Sequence, residues 1–238
     1  MVLAAGLGMR MRPLTLTRPK PLVEFAGKPL LDHALDRLAE AGIGEAVVNV
    51  HYLPDQIIEH VRGRAMPRVT ISDERDLLLD TGGGVVKALP LLGGAPFLHI
   101  NSDTVWSEQG TPALQRLVAA FDREHMDILL LLAAPERSVA FEGKGDFLLG
   151  SDGRLTRRPR DGAAAPAYMG AAMIDPAIFV DVPSGPFSLN LLFDRAIARG
   201  RLSGLLHEGV WMHIGTPEAL REAERRLAAG AITGNDAP

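Results

Sequence analysis

Hydrophobic and polar positions follow two alternating periods along the chain. The short apolar runs EAVVNV at 45–50, PFLHIN at 96–101 and MDILLLLA at 126–133 read as strands, the last apolar enough to be covered on both faces. Between them apolar residues recur at helical spacing: Leu31, Leu35 and Leu38, then Ile57, Ile58 and Val61, then Leu114, Leu117, Val118 and Phe121. Pro29 opens the first of these helices and Gly42 closes it, while Thr111 and Pro112 supply an N-cap and a first helical residue for the third. Further strands are expected up to Ala5, at RVTIS, at AYMGAAMI and around LLH and WMHIG. Further helices are expected over TGGGVVKAL, over SLNLLFDRAIARG to Gly200, and from TPEAL onward. Strand, helix and strand in repetition build a parallel sheet. The fold class expected is α/β: a three-layer Rossmann-like, mostly parallel sheet with helices on both faces.

One tract departs from this texture. From Pro135 to Pro166 the chain is short-segmented, polar and punctuated by Gly and Pro, which predicts hairpins and mobile loops, a small antiparallel excursion over 135–166 acting as a substrate lid. Residues 231–238 read as a frayed tail, and no Pro/Ser-rich linker divides the chain, so residues 1–238 are expected to form one domain.

Composition narrows the classes. With 238 residues and 47% hydrophobic content the chain can bury a packed core. Cysteine is absent, which excludes disulfides, thiolate nucleophiles and Cys-ligated zinc. There is no long uncharged apolar run, and MVLAAG is too short for a signal segment, so the expectation is a cytoplasmic protein with no membrane partner. The chain begins almost inside its first strand, which leaves open whether residues precede Met1 in the natural chain; oligomeric state is not readable either. A net charge of −4 argues against a nucleic-acid partner. Its distribution is uneven: Arg10, Arg12, Arg18, Lys20 and Lys28 face only Glu24 in the first 28 residues. That points to a local site for a small anion, or else to a solvated basic face.

The AAGLG turn after the first strand is where such an anion would sit, because ligands of open α/β sheets lie beyond the carboxyl ends of the strands and small residues let amides approach a phosphate. The turn is not a P-loop, since GxxxxGK[ST] is absent, and GLGMRM lacks the third glycine of a dinucleotide fingerprint. The run GLGMRMRPLT followed by PKPL instead resembles the signature of the sugar-1-phosphate nucleotidyltransferases, which join an NTP to a sugar 1-phosphate and release pyrophosphate. The resemblance covers nearly the whole chain and is strongest over residues 3–31 and 80–103. LLDTGGG at 78–84, the length and the lack of an added C-terminal β-helix are most similar to the short bacterial uridylyltransferases of cell-wall recycling. That similarity implies UTP and N-acetylmuramate 1-phosphate as substrates, in peptidoglycan recycling.

The chemistry accounts for several residues independently. Attack of a sugar phosphate on an α-phosphorus brings two anions together, so the site must neutralise charge and align the reactants. Arg10 can present its planar fork to the departing pyrophosphate, and Lys20, stiffened between two prolines, can hold an ammonium near the α-phosphate. By resemblance, Leu3, Ala4, Ala5, Gly6 and Gly8 with Thr81, Gly82 and Gly83 contact the nucleotide. Gly82 to Gly84 begin a helix and so can offer free amides. Also by resemblance, Gly145, Asp146 and Gly170 line the sugar pocket; Arg158 and Asn190 are further polar candidates there.

A nucleoside triphosphate arrives as its Mg²⁺ complex, and Asp103, in NSD after an apolar strand, is placed to hold that metal. The family supplies a second carboxylate in a W-x-D-x-G-T-P-like segment, but this chain reads WMHIGTP, with His213 at that place. Imidazole suits transition metals better than Mg²⁺, so Mn²⁺ or Co²⁺ could substitute. Three outcomes stay open: His213 ligates the metal, Asp103 holds Mg²⁺ with phosphates and water alone, or activity is lost. The competing readings are a guanylyl- or other nucleotidyltransferase acting on mannose-, heptose- or glucose-1-phosphate, and a non-catalytic nucleotide-sugar-binding protein.

Overall fold

A computed structural model describes residues 1–230. The tail expected over 231–238 lies outside the described residues. The chain runs through β1 (Val2–Leu3), β2 (Glu24–Phe25), β3 (Lys28–Pro29), α1 (Leu30–Glu40), β4 (Glu45–Val50), α2 (Pro54–Val61), β5 (Arg68–Asp73) and α3 (Asp80–Leu92). It continues with β6 (Phe97–Asn101), β7 (Thr104–Trp106), α4 (Ala113–Ala120), β8 (Ile128–Ala133), β9 (Ser138–Val139), β10 (Phe147–Leu149) and β11 (Leu155–Arg157). It closes with β12 (Ala167–Ile174), α5 (Asn190–Ala198), β13 (Leu202–Leu206), β14 (Trp211–His213) and α6 (Pro217–Ala228).

Seven strands form the main sheet in the order β13-β8-β12-β6-β1-β4-β5. Every neighbouring pair is parallel except those of β12, which runs antiparallel to both β6 and β8. Side chains of a strand alternate between faces, and the sheet uses both. Leu129, Leu131 and Ala133 of β8 join a core with Leu31, Leu35 and Leu38 of α1, Ile57 of α2 and Leu114 of α4. Ile128, Leu130 and Leu132 point the other way, into a core with Val85 and Ala88 of α3 and Leu192, Phe193 and Ala196 of α5. This is the three-layer α/β arrangement the periodicity predicts. No described helix is long and apolar enough to cross a membrane.

Two local expectations are corrected. Helix α4 starts at Ala113, with Pro112 rather than Thr111 at the N-cap; the Glu108 carboxylate reaches forward to accept the Ala113 N–H at 3.0 Å. The 135–166 tract does contain an antiparallel pair, β10 with β11, yet that hairpin is not loose: Phe147 and Leu155 are buried in the second core. Phe147 meets Phe193 edge-on, ring centroids 6.2 Å apart.

A third apolar cluster positions the N-terminal signature. Met11, Phe25, Leu30 and Val105 pack with Met212, Ile214, Leu220 and Ala223, so the first thirty residues sit on β14 and α6. The Tyr52 hydroxyl donates to the Thr15 carbonyl at 2.9 Å, and Gln56 donates to that of Thr17 at 3.0 Å, tying the same segment to the start of α2.

Candidate functional site

The carboxyl ends of β1, β4 and β6 open into a cleft of about 530 Å³. Its floor and walls come from Leu3, Ala4, Ala5 and Gly6 after β1, Asn49 of β4, Leu78, Asp80 and Thr81 at the start of α3, Asn101 to Asp103 after β6, Lys20 with Pro21, and Pro186. This is the placement expected of a ligand site in an open α/β sheet. Most of the expected nucleotide contacts, Leu3, Ala4, Ala5, Gly6, Lys20 and Thr81, line the cleft.

Lys20 and Asp103 are 83 residues apart in sequence, yet the Lys20 Nζ donates to Asp103 Oδ2 at 2.6 Å. The lysine opens a single 3₁₀ turn over Lys20–Leu22, with Pro19 extended before it and Pro21 buried within it. Burial of Asp103 alone would push its carboxyl up, but the Lys20 ammonium, His213 and hydrogen bonding outweigh it and hold it below the usual carboxylate value. Asp103 is therefore an ionised carboxylate at neutral pH, the hard oxygen donor that a divalent cation would require.

His213 is brought to the same place because β14 pairs antiparallel with β7, His213 opposite Thr104, next to Asp103. Its imidazole lies edge-on to Phe141, ring centroids 6.3 Å apart. Burial lowers its pKa; Asp103 opposes this, and the charges of Lys20 and Arg10 add to the lowering, so the surroundings favour the neutral ring. Arg10 stands on the far side of His213, in an adjoining hollow of about 430 Å³ that also includes Gly215 and Arg225. Its guanidinium has no hydrogen-bond partner among the described residues, so its donors are available. Gly8, left-handed at φ 63°, turns the chain into the 3₁₀ turn that carries Arg10; a Cβ there would stand 3.1 Å from the Cβ of Lys20.

The glycine cluster is corrected. Gly82 and Gly83 do not offer their amides to a ligand, because both donate to the Phe187 carbonyl, at 2.8 and 3.2 Å. Their missing side chains serve close packing: a Cβ on Gly82 would lie 2.4 Å from the Phe187 ring, and one on Gly83 would lie 2.5 Å from the Gly185 carbonyl oxygen. A ring can swing aside more easily than a backbone carbonyl. Gly83→Ala is therefore expected to destabilise the fold by about 1–3 kcal/mol, read as a lowered Tm in a thermal melt followed by circular dichroism. The Ala4 N–H is likewise taken, by Asn49 Oδ1 at 2.7 Å.

None of the five sugar-side residues is among those lining this cleft. Arg158 spends its guanidinium on its own loop, donating to the carbonyls of Gly145, Pro159, Arg160 and Gly162. Gly145 is left-handed at φ 84° and closed in by the Ala165 carbonyl, and Asp146 accepts the Tyr168 N–H at 2.9 Å. The Asn190 side chain pairs with Arg157 and Ser188. Gly170 acts on the cleft at one remove. It sits at φ 82° where the pairing of β12 with β8 shifts register, and a Cβ there would press on the Asn101 amide at 2.8 Å.

Asn49, Asp80 and Asn101 also line the cleft and were not expected there, and Glu74 is buried behind Asn49. Glu74 is fully buried and accepts Asn49 Nδ2 at 2.7 Å and the Leu79 N–H at 3.3 Å. Asp80 is left-handed at φ 59°, a backbone state rare for a residue with a side chain and concentrated at functional sites.

Residues 1–141 match a family model described as nucleotidyl transferase. Over 233 residues the chain is 50% identical to an N-acetylmuramate α-1-phosphate uridylyltransferase of Caulobacter vibrioides, with 96% of each chain covered. It is 37% identical to the protein of the same name from Neisseria meningitidis serogroup B, covering 96% of this chain and 98% of that one. Among solved structures, UDP-glucose pyrophosphorylase complexed with UDP-glucose aligns with a TM-score of 0.80 over 96% of this chain and 97% of that chain, at 16% identity, a likeness of fold.

Proposed function

The chain belongs to the nucleotidyl transferase family, and from that premise we propose that it transfers a uridylyl group from UTP to N-acetylmuramate 1-phosphate, giving the UDP-sugar and pyrophosphate. The observation that carries the reading is the Lys20–Asp103 pair at the cleft formed by the signature turn.

A phosphate oxygen of the sugar 1-phosphate forms a bond to the α-phosphorus, and the bond from that phosphorus to the bridging β-phosphate oxygen breaks. Negative charge accumulates on the pentavalent centre and on the leaving pyrophosphate. Lys20, on a proline-stiffened turn, places its ammonium against the first of these charges, and Arg10 offers free donors to the second. The backbone of Ala5 and Gly6 comes close to the ligand because neither residue carries more than a methyl group.

Proteins of this family use a divalent metal. The donor set here fits a hard cation that brings most of its ligands with it: Asp103 supplies one ionised carboxylate, and no group of three or more His, Cys, Asp or Glu residues gathers among the described residues. Asp103 would hold Mg²⁺, which screens the triphosphate charge when bound. His213, neutral and beside Asp103, would add a nitrogen donor, which favours Mn²⁺ or Co²⁺ relative to a two-carboxylate site. His213→Asp is therefore expected to lower the Mg²⁺ concentration that gives half-maximal rate and to reduce the advantage of Mn²⁺. Pyrophosphate release measured across a Mg²⁺, Mn²⁺ and Co²⁺ series reads this, and an unchanged metal preference would remove His213 from the metal site.

The reaction itself is tested by a panel of nucleoside triphosphates against sugar 1-phosphates. UTP with N-acetylmuramate 1-phosphate is expected to give the highest kcat/KM. Preference for GTP with mannose 1-phosphate would reassign the substrates, and binding of UTP without turnover under every metal would make the protein a nucleotide-binding one.

A further inference from the structure

Glu74 is a buried carboxyl group outside the reacting centre. It is 0% exposed, and no basic side chain comes within ion-pair distance of it among the described residues. Burying a carboxylate in this way is unfavourable unless hydrogen bonds replace the lost water. Both of its oxygens are supplied: Oε1 accepts Asn49 Nδ2 at 2.7 Å and Oε2 accepts the Leu79 N–H at 3.3 Å. Asn49, 2% exposed, can be oriented only one way, because its Oδ1 accepts the Ala4 N–H at 2.7 Å. The result is one continuous chain of three hydrogen bonds from Ala4 through Asn49 and Glu74 to Leu79. Its two ends lie in two loops that both line the cleft, residues 3–6 and 78–81.

The third glycine of the TGGG run belongs to the same arrangement. A Cβ on Gly84 would stand 2.7 Å from Glu74 Oε1 and 2.9 Å from Asn49 Nδ2, so the glycine is the space in which the two side chains meet. The Leu79 amide precedes α3, so the carboxylate also lies at the positive end of that helix.

We propose that Asn49 and Glu74 are positioning residues for the nucleotide: acting through Ala4 and Leu79, they fix the separation of the two loops that grip it. This rests on the nucleotide reading of the cleft. Neither residue belongs to the Lys20–Asp103 pair, so their loss is expected to fall on nucleotide affinity rather than on the bond-making step.

Donor and acceptor roles make the proposal testable by exchange. In Asn49→Asp two carboxylate oxygens face each other. In Glu74→Gln one of the new amide's ends must face a donor, Asn49 Nδ2 or the Leu79 N–H, with its own N–H₂. In the double variant Asn49→Asp/Glu74→Gln all three bonds return, the middle one with its polarity reversed: Ala4 N–H donates to Asp, Gln N–H₂ donates to Asp, and Leu79 N–H donates to the Gln carbonyl. Each single variant is expected to weaken UTP binding, measured by calorimetry in the presence of Mg²⁺, on the order of tenfold. KM for UTP should rise in parallel, while kcat and KM for the sugar 1-phosphate stay within about twofold of wild type. The double variant should recover most of the loss, a coupling that a double-mutant cycle reports.

If wild type binds UTP and the single variants bind it equally well, or if the double variant is no better than the sum of the singles, the proposal is overturned while the nucleotide reading stands. If wild type binds no nucleoside triphosphate, both fall. A single variant that does not fold leaves the comparison of double variant with wild type, in which restored UTP affinity supports the exchange and lost affinity sinks it.

Discussion

Lys20→Met is expected to lower kcat by about 10²- to 10³-fold with little change in the affinity for UTP, measured by pyrophosphate release and by calorimetry on the same protein. The magnitude is that of deleting one preorganised donor aimed at charge that develops in the transition state. Methionine keeps the length and flexibility of the chain and removes only the ammonium, so the turn over Lys20–Leu22 and the buried Pro21 are retained. Lys20→Arg should not restore the rate. The lysine is a point charge that reaches Asp103 at 2.6 Å, and a planar guanidinium of different length cannot occupy the same position. A Lys20→Met protein with kcat within a few fold of wild type would mean that the ammonium serves only to neutralise Asp103 before the substrate arrives.

Asp103→Asn is expected to cost at least about a hundredfold in kcat/KM, and to flatten the dependence of rate on Mg²⁺ concentration. The carboxylate is held ionised by its neighbours against its own burial, which is the state a hard cation requires. An amide offers one neutral oxygen instead, and it leaves the Lys20 ammonium without the counter-charge that orients it. The two substitutions separate by their metal curves: Lys20→Met should keep the Mg²⁺ dependence and lose rate, whereas Asp103→Asn should lose both. Equal metal curves in Asp103→Asn and wild type would take the metal away from Asp103.

Much of the fold was readable because its cues are periodic. Leu31, Leu35 and Leu38 stand one helical turn apart, and the apolar run at 128–133 is covered on both faces as its composition predicts. The direction of β12 was not readable, since AYMGAAMI has the same pattern whichever way it lies in the sheet. Arg10, Lys20 and Asp103 were singled out through a motif and a charge requirement, and the structure pairs the last two. Asn49 and Glu74 were missed because a polar residue near the end of an apolar strand, and an acid in a turn, look like ordinary solvent-facing positions until the burial is known. A signal existed: Asn49 interrupts the apolar run that follows Glu45 in its strand. Gly82 and Gly83 were misread because glycine at a helix start serves equally to bare an amide and to admit a close neighbour. For Arg158, five donors beside a proline do not reveal that the loop's own carbonyls engage the guanidinium.

The antiparallel strand has a consequence for the order of assembly during synthesis. As the chain emerges from its amino end, β5, β4, β1 and β6 can pair as soon as residue 101 is available, and β8 follows much later. Only β12 joins that quartet to the β8–β13 pair, so until residues 167–174 leave the ribosome the β6 edge carries a row of unpaired amides and carbonyls. The nascent protein is most open to mispairing in that interval, and a slowly translated stretch between residues 101 and 167 would prolong it.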